Sequence, residues 1–253
     1  MAVQKLREGK RVVGTMVRMI RNPAIAIVAR NAGLDFIMLD LEHGPYGMET
    51  VDDVFKVGRA VGLGCFLRVP ELAKGYVSRS LDCGATGVMV PMVESVDQAQ
   101  LLARWAKYPP LGGRGFGGFG SHTDFIGVAP DNTSAFMARA NADTITIAQI
   151  ETAQAIQNID AIAAVPGIDA LLIGPNDLAI SMGCAGDFLG DTMDKAIGKV
   201  ATAARTHGKI FGMHGSDGLT ERWLSRGLTF VMSNQDTAIL MAGLKAISQK
   251  YKS

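Results

Sequence analysis

Along this chain, short runs of consecutive apolar residues alternate with longer stretches whose apolar positions recur every three or four residues. The runs read as strands buried on both faces, and the longer stretches as amphipathic helices. Val12–Val17 is the first strand. Asn22-Pro23 then opens a helix, with Asn as N-cap and Pro at the first helical position, closing near Gly33. Phe36–Leu39 is the second strand. Thr50–Val61 follows as a helix carrying Val51, Val54, Phe55 and Val57, closed by Gly62. Cys65–Val69 is the third strand, stopped by Pro70, and Tyr76–Cys83 is helical up to Gly84. Thr86–Met92 is the fourth strand, and Ser95–Tyr108 a helix capped by Ser95. A long glycine-rich loop runs from Pro109 to Pro130, ahead of a short helix over Thr133–Ala142. Ile145–Ile150 is the fifth strand, with a helix over Thr152–Val165 ended by Pro166-Gly167. Ala170–Ile173 is the sixth, followed by a helical turn and a helix over about Asp194–His207. Ile210–Met213, a helix over Leu219–Arg226, Leu228–Met232 and a closing helix over Ala238–Tyr251 complete the pattern.

Eight strands alternating with helices argue for parallel βα units, and eight in one domain-sized chain argue for a closed barrel over an open doubly wound sheet. At 253 residues the chain has the typical length of one (β/α)8, or TIM, barrel. No linker or composition break divides it, so residues 1–253 are expected to form one α/β domain.

The polar residues at the strand ends change the picture from fold to chemistry. The second strand runs into Asp40-Leu-Glu42-His43-Gly44-Pro45 and the third into Arg68. The fifth leads to Gln149 and Glu151, and the sixth to Gly174-Pro175-Asn176-Asp177. In a βα barrel these ends converge on one face, where catalytic groups sit. Glu151 and Asp177 end neighbouring strands, so two carboxylates with waters and substrate oxygens would suit a hard cation such as Mg²⁺ or Mn²⁺. Against that, both are natural acids for a helix N-terminus. Backbone N–H groups at the Asn176–Asp177 helix start would hold a carboxylate. Arg68 would neutralise an enolate oxygen, or else bridge to Asp40 or Glu42; His43 would move a proton.

Composition narrows the partners. Hydrophobic residues are 48% of the chain, and 25 Lys and Arg balance 24 Asp and Glu, leaving no footprint for nucleic acid or an anionic membrane. Cys65, Cys83 and Cys184 show no paired or metal-binding spacing, as in a reducing cytoplasm. No signal-like segment and no apolar run of ~20 residues is present. His43, His122, His207 and His214 share no zinc spacing; His207 sits at a helix end, and His214 either lines the mouth or belongs to a turn. Gly115-Phe-Gly117-Gly118-Phe-Gly120 fits a dinucleotide fingerprint, but Pro109-Pro110 precedes it where a strand is needed, so it reads as a mobile loop over the barrel mouth.

The ordered set Asp40-Leu-Glu42-His43, Leu67-Arg68-Val69-Pro70, Leu81-Asp82-Cys83-Gly84-Ala85, Val90-Pro91-Met92-Val93, Tyr108-Pro109-Pro110 with Arg114-Gly115, Gln149-Ile-Glu151-Thr152 and Gly174-Pro175-Asn176-Asp177-Leu178 resembles the HpcH/HpaI aldolases. These are metal-dependent (class II) pyruvate aldolases such as 4-hydroxy-2-oxoheptanedioate aldolase, and the likeness runs from Val13 to about Ala246. The resemblance implies that His43 is the base and Asp82 the partner that raises its basicity. It implies that Arg68 stabilises the pyruvate enolate and that Glu151 and Asp177 bind a divalent cation, Mg²⁺, Mn²⁺ or Co²⁺. Gln149, Gly174, Pro175, Asn176 and Asp177 would contact substrate. It also implies a C-terminal helix exchanged between protomers of a homohexamer. Asn176 stands where relatives carry alanine, and no arginine follows Arg114 until Arg139.

The expected reaction is retro-aldol cleavage of a 4-hydroxy-2-oxo acid to pyruvate and an aldehyde. A Schiff-base enzyme would need a lysine near a strand's C-terminal end, and neither Lys209 nor Lys74 qualifies. A citrate-lyase-β-like or malyl-CoA-type lyase and a non-catalytic 2-oxo-acid-binding protein are the other readings. The phenylalanine-bearing glycine loop, six glycines in nine positions from Gly112 to Gly120, predicts closure over substrate and a preference for neutral aldehydes.

Overall fold

The computed structural model describes residues 2–252. Its strands are β1 (Val12–Val17), β2 (Phe36–Asp40), β3 (Gly64–Arg68), β4 (Gly87–Val90), β5 (Ile145–Ile150), β6 (Ala170–Ile173), β7 (Ile210–His214) and β8 (Phe230–Gln235). Each pairs in parallel with its chain neighbours, and β8 returns to pair with β1, closing the barrel in sequence order. β2 to β6 are buried at every position, which is why the sequence shows unbroken apolar runs there instead of alternation.

Between the strands lie α2 (Ala24–Asn31), α3 (Met48–Ala60), α4 (Lys74–Asp82), α5 (Val96–Ala106), α6 (Thr133–Asp143), α7 (Ala153–Gln157), α8 (Ile159–Ala164), α9 (Pro175–Ser181), α10 (Asp191–Thr206) and α11 (Asp217–Leu224). α12 (Asp236–Lys252) closes the described chain, and α1 (Ala2–Arg7) opens it. Periodicity missed α1, which has only six residues; its Ala2 and Leu6 join the apolar cluster inside the barrel. The helix expected over Thr152–Val165 is two, because Asn158 breaks it and turns its side-chain amide onto the Glu94 carbonyl at 2.7 Å.

Alternate strand residues fill the barrel with Met16, Phe36, Met38, Phe66, Met89, Leu172, Phe230 and Met232. Phe36, Phe66 and Phe230 meet with ring centroids 4.8–5.4 Å apart. Gly14 makes room for them: a Cβ there would lie 2.5 Å from the Phe36 ring. The other strand faces pack against the helices in a separate, larger cluster.

Helices run back from the C-terminal to the N-terminal face of a βα barrel, so the end of α5 delivers the chain to the lower face. There Lys107, buried, donates to the Asn141 and Thr144 carbonyls at 2.9 and 2.7 Å and pairs with Asp169 at 2.7 Å. The glycine-rich loop that follows is tied to the outer flank of α3 and α4. Ser121 bonds Asp52, Asp124 pairs with Arg59 at 2.8 Å, and Arg114 pairs with Asp82 at 2.6 Å. The loop therefore does not cover the mouth of its own barrel, contrary to the expectation above. Phe119, Phe125 and Ile126 are exposed on that flank.

Candidate active site at the barrel mouth

The D-x-E-H stretch folds around one carboxylate. Asp40, the last residue of β2, is fully buried and accepts from Arg68 through two parallel bonds, Nε to Oδ1 at 2.8 Å and Nη2 to Oδ2 at 2.7 Å. Parallel register explains the pair, since Asp40 stands directly opposite Arg68 on β3. The same carboxylate accepts Arg18 Nε at 2.6 Å and the backbone N–H of Glu42 at 3.1 Å. Burial alone would raise Asp40, but the two guanidinium groups outweigh it and hold the carboxyl below its ordinary range. Arg68 also pairs with Glu42 at 2.7 Å, so both carboxylates considered as its partners from the sequence are engaged. Glu42 is nevertheless pushed upward by burial, with Arg68 opposing. His43 projects from the following turn, exposed, with Nε2 3.9 Å from Glu42.

On the opposite wall Glu151 follows β5 and is almost fully buried. It does not cap the next helix. Thr152 does that, accepting the Ala155 N–H at 3.1 Å. Glu151 instead turns inward, where it accepts the Met92 N–H at 2.9 Å and the amide of Gln149. Met92 adopts φ 50, a left-handed conformation costly for a side-chain-bearing residue, just beyond β4. Gly174 is required beside it, since a Cβ there would stand 2.2 Å from Glu151 Oε2. Burial pushes the Glu151 carboxyl up to about 7; the Met92 N–H lowers it, Glu42 and Asp177 raise it, and Arg68 opposes them.

Pro175, Asn176 and Asp177 begin α9 directly after β6 and face the same space. The cavity they enclose, about 660 Å³, is lined by His43, Arg68, Gln149, Gly174, Asn176 and Asp177. Arg18, His214 and the end of β8 line it from the other side. His214 places Nε2 3.0 Å from the Asn234 carbonyl, an oxygen that only accepts, so in the neutral ring Nε2 carries the proton. Burial lowers His214, with Arg68 and Arg18 adding to that against the Asn234 contact, and keeps it neutral.

Of the residues singled out in the sequence, the structure gathers His43, Arg68, Gln149, Gly174, Pro175, Asn176 and Asp177 at one mouth, with Glu151 bonded to Gln149 beneath. It does not bring Asp82 there. Asp82 is the last residue of α4, at the opposite end of the barrel, and is ion-paired to Arg114. Within one chain it is not the partner of His43. Arg18 and Asp236 were missed. Arg18 follows β1 as Arg68 ends β3, so the strand-end rule that found Arg68 would have found it.

A divalent cation fits this donor set. Burial raises the Glu151 carboxyl, Glu42 and Asp177 add to that, and Gln149 Oε1 is buried without a partner among the described residues. Carboxylate and amide oxygens are the ligands that Mg²⁺ and Mn²⁺ take. Among the described residues no three of His, Cys, Asp and Glu are placed to hold a metal ion together, so two carboxylates would leave most of the coordination shell to water and substrate.

Comparison with known proteins places the chain among aldolases of this fold. A curated relative, 4-hydroxy-2-oxovalerate aldolase of Novosphingobium aromaticivorans, is 37% identical over 243 residues, covering 94% of this chain and 89% of the relative. A 4-hydroxy-4-methyl-2-oxoglutarate aldolase of Hapsidospora irregularis is 33% identical, covering 90% of this chain and 85% of that one. The crystal structure of an HpcH/HpaI aldolase from Desulfitobacterium hafniense DCB-2 superposes with a TM-score of 0.90 at 35% identity, over 97% of this chain and 95% of that one. The family model for HpcH/HpaI aldolase/citrate lyase matches residues 18–241, from Arg18 at the mouth into α12, and the chain belongs to that family.

Proposed function

We propose that this protein is a divalent-metal-dependent class II aldolase that reversibly cleaves a 4-hydroxy-2-oxo acid to pyruvate and an aldehyde. The observation that carries it is the buried Glu151, bonded to Gln149 beneath the mouth, its carboxyl pushed up to about 7 by burial with Glu42 and Asp177 adding and Arg68 opposing. Glu151 and Asp177 would hold the cation, and Gln149 would orient what binds beside it. The bound cation would supply Lewis acidity at the 2-oxo group. Arg68, fixed by Asp40, balances negative charge growing on the pyruvyl oxygen as the C3–C4 bond breaks. His43, exposed at the rim, takes the proton of the C4 hydroxyl as the C4–O bond becomes the aldehyde carbonyl; the aldehyde leaves, and the proton then goes to C3 of the enolate to give pyruvate. Asn176 and the first N–H groups of α9 lie where a carboxylate would rest. Lys209 donates to the Val165 and Ile168 carbonyls at the lower face, and among the described residues no lysine lines the mouth cavity, as a Schiff-base enzyme would require.

Two further properties belong to this reading. α12 buries only Asp236, while Ile239, Leu240, Met241, Leu244 and Ile247 stay exposed, as suits a helix exchanged between protomers of a hexamer. Among the described residues no helix is long and apolar enough to cross a membrane, and the free thiols of Cys65, Cys83 and Cys184 suit a reducing cytoplasm. The test is pyruvate release from a panel of 4-hydroxy-2-oxo acids before and after chelation by EDTA. Cleavage should vanish with the chelator and return with Mg²⁺, Mn²⁺ or Co²⁺. Full activity after exhaustive chelation, or pyruvate fixed to the protein by borohydride, refutes the proposal.

A further inference from the structure

The mouth has a second side that the reaction above does not use. Arg18 is its most constrained member. Asp236, 5% exposed, accepts the backbone N–H groups of Arg18, Met19 and Ile20 at 3.0, 2.8 and 2.8 Å, which fixes the chain where β1 ends. Asp40 fixes the side chain through Nε at 2.6 Å. Its side chain is 27% exposed and lines the cavity, and its two terminal amino groups have no hydrogen-bond or ion-pair partner among the described residues. Neutralising Asp40 does not account for this arginine, because Arg68 already grips that carboxylate with both arms of its fork.

The surroundings of Arg18 are polar as well. β8 carries an extra residue against β1, the register stepping from Gly14↔Met232 to Met16↔Gln235, and Asn234 takes a left-handed φ of 62. Such bulges re-aim side chains beside active sites. Here Ser233, Asn234, Gln235 and His214 line the cavity with Arg18. A preorganised guanidinium with two free amino groups matches the two oxygens of a carboxylate. Asp217 lines the same cavity and would oppose the second charge of a phosphate.

We propose that Arg18 determines the acceptor: its terminal amino groups receive a carboxylate at the aldehyde end of the substrate, so diacids of the 4-hydroxy-2-oxo class are preferred over neutral analogues of equal length. This rests on the aldolase reading and replaces the neutral-aldehyde expectation, whose basis was a loop that lies on the flank of α3 and α4. The experiment compares kcat/KM for a 4-hydroxy-2-oxo diacid and its neutral analogue in wild type and R18M, with exchange of pyruvate methyl protons into deuterated water as a readout that needs no acceptor. Wild type should favour the diacid, and R18M should lower the diacid-to-neutral ratio by about 10- to 100-fold, the worth of a charge-assisted contact. R18K should retain more of the ratio than R18Q, and these two carry the test if R18M does not fold. Equal losses for both substrates, or a loss in pyruvate exchange as large as that for the diacid, would assign Arg18 to the pyruvyl end or to holding Asp40 and overturn the proposal. Wild type that exchanges pyruvate protons yet shows no diacid preference overturns it too. Wild type that neither exchanges pyruvate protons nor cleaves any acid refutes the aldolase reading, and this proposal falls with it.

Discussion

Proton and metal should compete for Glu151, and the competition has a calculable size. With its carboxyl raised to about 7 by burial, Glu151 must lose a proton before it can bind a cation. About one molecule in eleven is then ionised at pH 6 and about ten in eleven at pH 8, so the cation should bind about tenfold tighter at pH 8, or about 1.4 kcal/mol. Mn²⁺ titration followed by the resonance of the free ion measures this without any turnover. Calorimetry in two buffers of different ionisation enthalpy counts the proton released. The same shift has a stability consequence whose sign is fixed. The folded carboxyl lies above its ordinary 4.5, so its contribution is complete below that pH and is lost as pH rises towards about 7. Metal-free Glu151→Gln, which cannot ionise, should be more stable than wild type at pH 8 by up to about 3 kcal/mol, seen as a higher Tm. Added Mn²⁺ should close the gap by stabilising wild type alone. Metal affinity that is flat from pH 6 to pH 8, or a variant that binds Mn²⁺ as tightly as wild type, refutes the assignment.

Other perturbations probe the remaining parts of the mouth. His43→Ala should lower kcat by about 10²- to 10⁴-fold, the worth of a positioned base, while Mn²⁺ affinity measured by resonance is retained; loss of metal with unchanged turnover per bound ion would make histidine a ligand. Gly174→Ala puts a Cβ within 2.2 Å of Glu151 Oε2 and should weaken Mn²⁺ binding; wild-type affinity would mean that Glu151 is not held there for the cation. Light scattering should give a mass several times the 26.8 kDa of one chain, and Leu240→Lys with Leu244→Lys on α12 should lower it; a monomer in both cases would exclude helix exchange.

The barrel was legible because parallel strands buried on both faces leave runs such as Phe36–Leu39 and Ala170–Ile173, with helical periodicity between them. The strand-end rule likewise put Arg68, Gln149, Glu151 and Asp177 on one face, since every strand of such a barrel ends there. What was not legible depends on distance across the chain. Asp82 sits in a motif but closes a helix, and helix ends lie opposite strand ends, so topology alone separates it from His43. The glycine loop was misplaced because its composition reports mobility, while its position is fixed by Arg59, Asp52 and Asp82, contacts no local pattern encodes. Asp236 looks in sequence like any acid at a helix start. Its four N–H partners, three of them at the end of β1, become visible only when the last strand meets the first.

That carboxylate also separates ring closure from assembly. Asp236 is the first residue of α12, and its bonds to Arg18, Met19 and Ile20 add a side-chain latch to the β1–β8 pairing. Every exposed apolar residue of α12 lies downstream of the latch. If α12 is exchanged between protomers as proposed, it would leave its own barrel by turning after Thr237, with the ring still fastened and Arg18 still aimed at the mouth. In such an assembly each ring would be completed before any partner arrives, and a chain separated from its neighbours would give up a docking arm and keep its circle.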